Sequence, residues 1–116
     1  MNRHGFTVGI PYDPDDPAGV MEKAEEALRK AAASVEGVRT DEEKPPAVIF
    51  EGFGDNSINY TLYVYALDRT NWGHIRNEVP KAIMREFKAR GLSVPFPQRD
   101  IHLDSQVLDL LGRQGA

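Results

Sequence analysis

Residues 87–103, FKARGLSVPFPQRDIHL, place a helix end, a stiff arm and a strand back to back. Gly91 follows a helical pattern at the position where left-handed backbone costs glycine least, and Lys88 and Arg90 put positive charge at the helix's negative end. The helix is predicted to stop there. Val94 and Phe96 each precede a proline, which biases both toward extended backbone, while Pro95 and Pro97 have φ fixed and no amide hydrogen to donate. Beyond this arm, residues 99–103 alternate polar and apolar side chains, the pattern of a half-buried strand with Ile101 and Leu103 turned inward.

Working outward, the helix before the arm takes its apolar stripe from Ile75, Val79, Ile83 and Phe87, with Thr70 or Asn71 as candidate caps and Trp72 near its start. Pro80 inside it predicts a kink, or a helix whose regular part begins near Val79. Ile58, Tyr60, Leu62, Val64 and Ala66 fall on one face of a strand, and Gly52, Gly54, Asp55 and Asn56 make the turn into it from a short strand at Val48, Ile49 and Phe50. Residues 39–46 are charged and end in proline, as a surface loop does. At the start, Phe6, Val8 and Ile10 alternate with Thr7 and Gly9 in a first strand closed by Pro11. Asp16 is a helix cap with Pro17 at the first helical position, and Val20, Ala24, Ala27, Leu28 and Ala31 supply a buried stripe that Gly37 ends. The order is βαββαβ, which predicts an α+β, ferredoxin-like sandwich: a four-stranded antiparallel sheet with both helices on one face.

Composition narrows the function classes. A chain of 116 residues fits one domain, and 41% hydrophobic content is too high for a disordered one. No apolar run approaches the roughly 20 residues of a membrane-spanning helix, and residues 1–4 lack the hydrophobic stretch of a signal peptide, so the chain as given is expected to be soluble. Without cysteine there is no disulfide framework, thiolate metal site or Cys nucleophile. A net charge of −4 argues against nucleic acid as main partner.

Three blocks carry a family resemblance: residues 6–13 (FTVGIPYD), 56–65 (NSINYTLYVY) and 85–103. The last is the most specific, a helix ending in Arg-Glu-Phe, then a glycine, Pro-Phe-Pro-Gln and a strand. With them the chain resembles the C-terminal cytoplasmic α/β domain of the small-conductance mechanosensitive channel family, over nearly all its length to about Leu103. The resemblance implies a ferredoxin-like domain over residues 1–103 and a tail over 104–116. It implies a place in a homo-oligomeric cage, heptameric in the family, on the cytoplasmic side of the inner membrane, beneath a tension-gated pore that relieves osmotic shock. The partners would be other copies of the subunit and the transmembrane and central β domains, which this sequence does not contain. There would be no catalysis, no cofactor, no nucleic acid and no direct membrane contact by this part.

In that setting Gly91, Pro95, Phe96, Pro97 and Gln98 would lead the chain from the helices to the last strand and toward the oligomer axis. If the arm pins Phe96 in the core, Phe96→Ala should cost about 3–5 kcal/mol. After the last strand the family can form a small β-barrel around the axis. Here Asp104 instead suits a cap, with Val107, Leu108 and Leu111 on one face and Gly112 beyond, so short helix and oligomerisation strand both stay open. Those three aliphatics, with Tyr63 and Tyr65 on the outer face of the third strand, are the expected subunit interface.

Other groupings have plainer meanings. Asp13, Asp15 and Asp16 resemble a calcium cluster, but Pro14 and Pro17 interrupt the spacing, which predicts a turn with a helix cap. His4, His74 and His102 match no metal-ligand spacing, and Lys81, Arg85 and Lys88 recur as a solvated helix face. Trp72 is expected to anchor core or interface. Two rivals share the βαββαβ order: an RNA-binding module, stacking bases on Tyr63 and Tyr65, and a regulatory domain binding a metabolite between subunits.

Overall fold

The alternation of Phe6, Val8 and Ile10 produces β1 (Arg3–Ile10) in the computed structural model, which describes residues 3–97. α1 (Pro17–Ser34), β2 (Ala47–Phe53), β3 (Ile58–Tyr65), a 3-10 turn (Arg69–Asn71), α2 (Trp72–Ala89) and β4 (Phe96–Pro97) follow. The protein is α+β: β1 pairs antiparallel with β3 and β2 with β3, making a three-strand antiparallel sheet. To the other side of β1 the two residues of β4 add through Val8↔Pro97 and Gly9↔Phe96. The arm is thus partly strand, with its proline on a sheet edge, where a missing donor is tolerated. The predicted strand over 99–103, Gln98, His102 and the tail with Val107, Leu108 and Leu111 lie outside the described residues.

Ile58, Tyr60, Leu62 and Val64 turn to the helices and are almost wholly buried with Ile10, Leu28, Ile75, Val79 and Phe87. Burying each such large side chain contributes about 1.5–3 kcal/mol, which makes this one core the main support of the fold. α1 covers β2 and β3. Its inner stripe includes Ala24, Ala27, Ala31 and Ala32, small residues that let it pack close against α2 and the sheet. α2 runs along β1: Trp72 at its start packs on His4, and Gly91 and Leu92 beyond its end share a cavity wall with Ile10.

Capping follows the chemistry of the sequence, with two differences. Asp16 accepts a hydrogen bond from the Gly19 amide and Pro17 opens α1. At the end of α2 Gly91 has φ +69°, the Leu92 amide donates to the Phe87 carbonyl and the Gly91 amide to that of Lys88, the paired pattern that closes a helix on left-handed glycine. Thr70 and Asn71, however, do not cap by side chain; Asp68 does, accepting from the Thr70 amide at the head of the 3-10 turn. The helix also begins at Trp72 rather than near Val79 and runs unbroken through Pro80. The carbonyl that Pro80 leaves unpaired belongs to Arg76, an exposed residue, where water can satisfy it.

Candidate functional site

Two surfaces of the sheet carry side chains that the core does not consume. The first is the outer face, where Tyr63 and Tyr65 alternate with the buried residues of β3, as their register predicts. Both rings are half-buried by their own chain. Tyr63 lies over the bare backbone of Gly5, and the Arg3 guanidinium stacks on the ring 3.9 Å from its centroid. Lys44 stands 4.9 Å from the Tyr65 centroid. Each cation gains roughly 0.5–1 kcal/mol from the ring at such a partly exposed site. A nucleic-acid base seeking these faces would have to displace a cation already in place. Between strands Thr7 and Thr61 share a hydroxyl hydrogen bond of 3.1 Å, and Ile49 stands exposed beside Thr61.

The second surface is the β2 edge. Val48 and Phe50 pair with Leu62 and Tyr60 and so face the helices. A bulge between Phe50 and Gly52 then adds a residue, so that Phe53, opposite Ile58, returns to the same face as Phe50 instead of the opposite one. The two rings meet edge to face at 5.0 Å, Phe50 meets Tyr60 at 5.8 Å, and Tyr12 stacks on Phe53 at 6.2 Å. Tyr12 is held by its hydroxyl, which donates to the Gly54 carbonyl at 3.0 Å. These rings lie beyond the cover of α1: Tyr12, Phe50 and Phe53 are 42%, 43% and 65% exposed, a contiguous aromatic patch on one strand edge. Sequence reasoning missed it, because Phe50 and Phe53 are three apart and would face opposite ways in a regular strand.

Around these surfaces the polar groups hold structure. The Asp13 carboxylate accepts from the Asp15 amide and Asp16 caps α1, so the acidic run is a turn and a cap. Tyr60 donates to the Glu25 carboxylate at 2.7 Å, and burial together with that carboxylate pushes its phenol well above the usual range. Arg90 bridges the helices, bonding Glu86 on its own helix and Glu26 on α1 at 3.0 Å, and both carboxylates raise its pKa. In the loop before β2, the Arg39 guanidinium grips Asp41 at 2.7–2.8 Å and holds that carboxyl at about 2. A cavity of about 280 Å³ lies between Tyr12, Asp13 and Val20 on one side and Gly91, Leu92 and Ser93 on the other, beside the arm. Pro95 is buried at its end; Gly91 and the backbone of Phe96 and Pro97 are placed as described above. Trp72 is half-buried against the core. His4 packs on its ring at 4.3 Å and is half-buried there. Among the described residues no three His, Cys, Asp or Glu side chains gather as a metal group, and no helix is long and apolar enough to cross a membrane.

Residues 4–94 match the family described as "Mechanosensitive ion channel MscS, C-terminal". An uncharacterized MscS family protein of Archaeoglobus fulgidus is 30% identical over 97 residues, 84% of this chain and 31% of that protein. The large-conductance mechanosensitive channel MscMJLR of Methanocaldococcus jannaschii is 29% identical over 102 residues, 84% of this chain and 27% of that one. Among solved structures, closed-state MscS of Helicobacter pylori superposes with a TM-score of 0.64 at 22% identity, covering 85% of this chain and 36% of that one. The fold is therefore that of an MscS C-terminal domain. The chain belongs to the MscS mechanosensitive channel family, matching its C-terminal domain, and it spans about a third or less of the length of these relatives.

Proposed function

We propose that this chain serves as the cytoplasmic cage domain of a tension-gated channel subunit, hung from transmembrane and central β domains and assembled with other copies of itself. The observation that carries this reading is the family match over residues 4–94, which runs from β1 through α2 and stops short of β4. In it residues 1–103 form a ferredoxin-like domain with its last strand over 99–103, and 104–116 form a C-terminal tail, as a short helix or an oligomerisation strand. Gly91 and Pro95 to Gln98 set the direction of that strand. Tyr63 and Tyr65, already steadied by Arg3 and Lys44, present a flat face to a neighbouring subunit or to the β domain, joined by Val107, Leu108 and Leu111. The domain does no chemistry; it frames the openings through which solutes reach the pore during osmotic shock.

The test is the whole gene, with its own upstream coding sequence, in bacteria stripped of mechanosensitive channels. Survival of hypo-osmotic shock and tension-activated currents in excised patches are expected, both altered when residues 1–116 are deleted. An upstream sequence without membrane spans, or patches silent at lytic tension, would overturn the reading.

A further inference from the structure

The two segments that carry the aromatic patch on the β2 edge are acidic, and a cation near it, Arg29 of α1, acts on Tyr60 beside Phe50. Asp13, Asp15 and Asp16 follow Tyr12, Glu51 sits between Phe50 and Phe53, and Asp55 comes two residues later, while no Lys or Arg occurs over residues 5–22 or 45–68. The exposed stripe of α2 has the opposite character. Lys81, Arg85 and Lys88 surround Met84, itself 40% exposed. Of the two α2 carboxylates, Glu78 pairs with Lys81 and Glu86 with Arg90, which leaves Arg85 and Lys88 without an ion pair among the described residues.

Their positions match as well as their charges. β2 lies at one edge of the sheet, and Trp72 at the head of α2 packs on His4 of β1, with β3 between the two strands and α1 beside α2. Both patches sit at the same height along the strands: Phe53 is at the end of β2 beside Tyr12, where β1 ends, and Arg85 and Lys88 are in the last turns of α2, whose end is also beside Ile10. Two different patches of one chain that fit each other generate a head-to-tail contact, which makes a ring where the rotation closes and a filament where it does not.

We infer that the acid-rimmed aromatic edge of Tyr12, Phe50 and Phe53 docks the basic Met84 stripe of a second copy of this chain. Met84 fills the aromatic surface while Arg85 and Lys88 meet the carboxylates of Glu51 and Asp55. The inference deepens the cage reading and rests on it for the identity of the partner. Because unlike charges at the rim are screened within about 10 Å at 0.1 M salt, the contact weakens as salt rises.

The chain has no cysteine, so introduced thiols report the contact directly. Phe53→Cys and Lys88→Cys proteins are mixed under mild oxidation. The mixed disulfide is expected in at least tenfold excess over the disulfide of either protein alone, falling several-fold at 0.5 M salt. Sedimentation of Phe53→Arg and of Arg85→Glu/Lys88→Glu should each give monomer, and their equimolar mixture a one-to-one dimer, since each retains the face that the other has lost. Far-ultraviolet dichroism matching the parent chain shows that the variants are folded. Predominance of the Phe53→Cys homodisulfide, which marks edge-to-edge pairing, overturns the inference, as does a mixture that stays monomeric with no mixed disulfide above that of a control carrying Ala33→Cys on the exposed side of α1. Association that survives Phe53→Arg also sinks it while leaving the channel reading to its own osmotic-shock test.

Discussion

Gly37 has φ +96°, a conformation that costs other residues about 1–3 kcal/mol, and a side chain there would meet Asn71 Nδ2 at 2.6 Å and its Cβ at 3.2 Å. The amide of Asn71 could swing aside, but its Cβ belongs to the head of α2 and cannot. Gly37→Ala is therefore expected to destabilise the domain by about 2 kcal/mol, read by urea unfolding. The sequence marked this glycine only as a helix stop; its second role, letting α2 begin close by, depends on a residue 34 positions away. Tyr60 makes a different case. Its phenol is raised in the folded state, so folded protein keeps a proton that the unfolded chain releases near the ordinary value of about 10. The contribution is whole below that pH and is lost as pH rises toward the folded value, so stability should fall with increasing alkalinity. Tyr60→Phe should flatten this slope while costing about 1 kcal/mol at neutral pH for the lost bond to Glu25.

At the scale of elements, α2 is the least economical helix. Pro80 forfeits one intrahelical bond and crowds the preceding turn, at about 3 kcal/mol, and gives back about 1 kcal/mol by stiffening the unfolded chain. Pro80→Ala should thus stabilise the protein by about 2 kcal/mol, measured by thermal unfolding; no gain would mean that the helix has adapted to the ring. Asp68 caps the turn before α2, and Asp68→Ala should cost about 1 kcal/mol. The helix starts, stops and stripes were legible because capping and 3.6-residue periodicity act within a few residues. β2 was legible only in part. Its alternation breaks at Glu51 and Gly52, and only pairing with β3 shows that the strand continues through a bulge to Phe53.

For the molecule as a whole, charge and surface agree. With net charge −4 and the outer tyrosines already stacked by Arg3 and Lys44, the chain should show no salt-dependent binding of single-stranded RNA at low salt. A micromolar affinity lost on adding salt would favour the RNA-binding module. The family resemblance was readable because its three blocks, residues 6–13, 56–65 and 85–103, stand in the sequence itself, and the glycine stop and proline arm within the last of them set backbone geometry through rules that span few residues. The candidate surfaces were not. Tyr12 reaches Gly54 across 42 residues, and the bulge in β2 turns Phe53 to the side of Phe50. Which apolar side chains end up uncovered depends on where α1 stops shielding the sheet. Periodicity and capping thus determined the helices, most of the strands and the core of this chain, because those follow from neighbours along the backbone, while its kinship was carried by the resemblance of residues 6–13, 56–65 and 85–103. Packing alone decided which rings remain outside, because burial is a property of every element that reaches the same place.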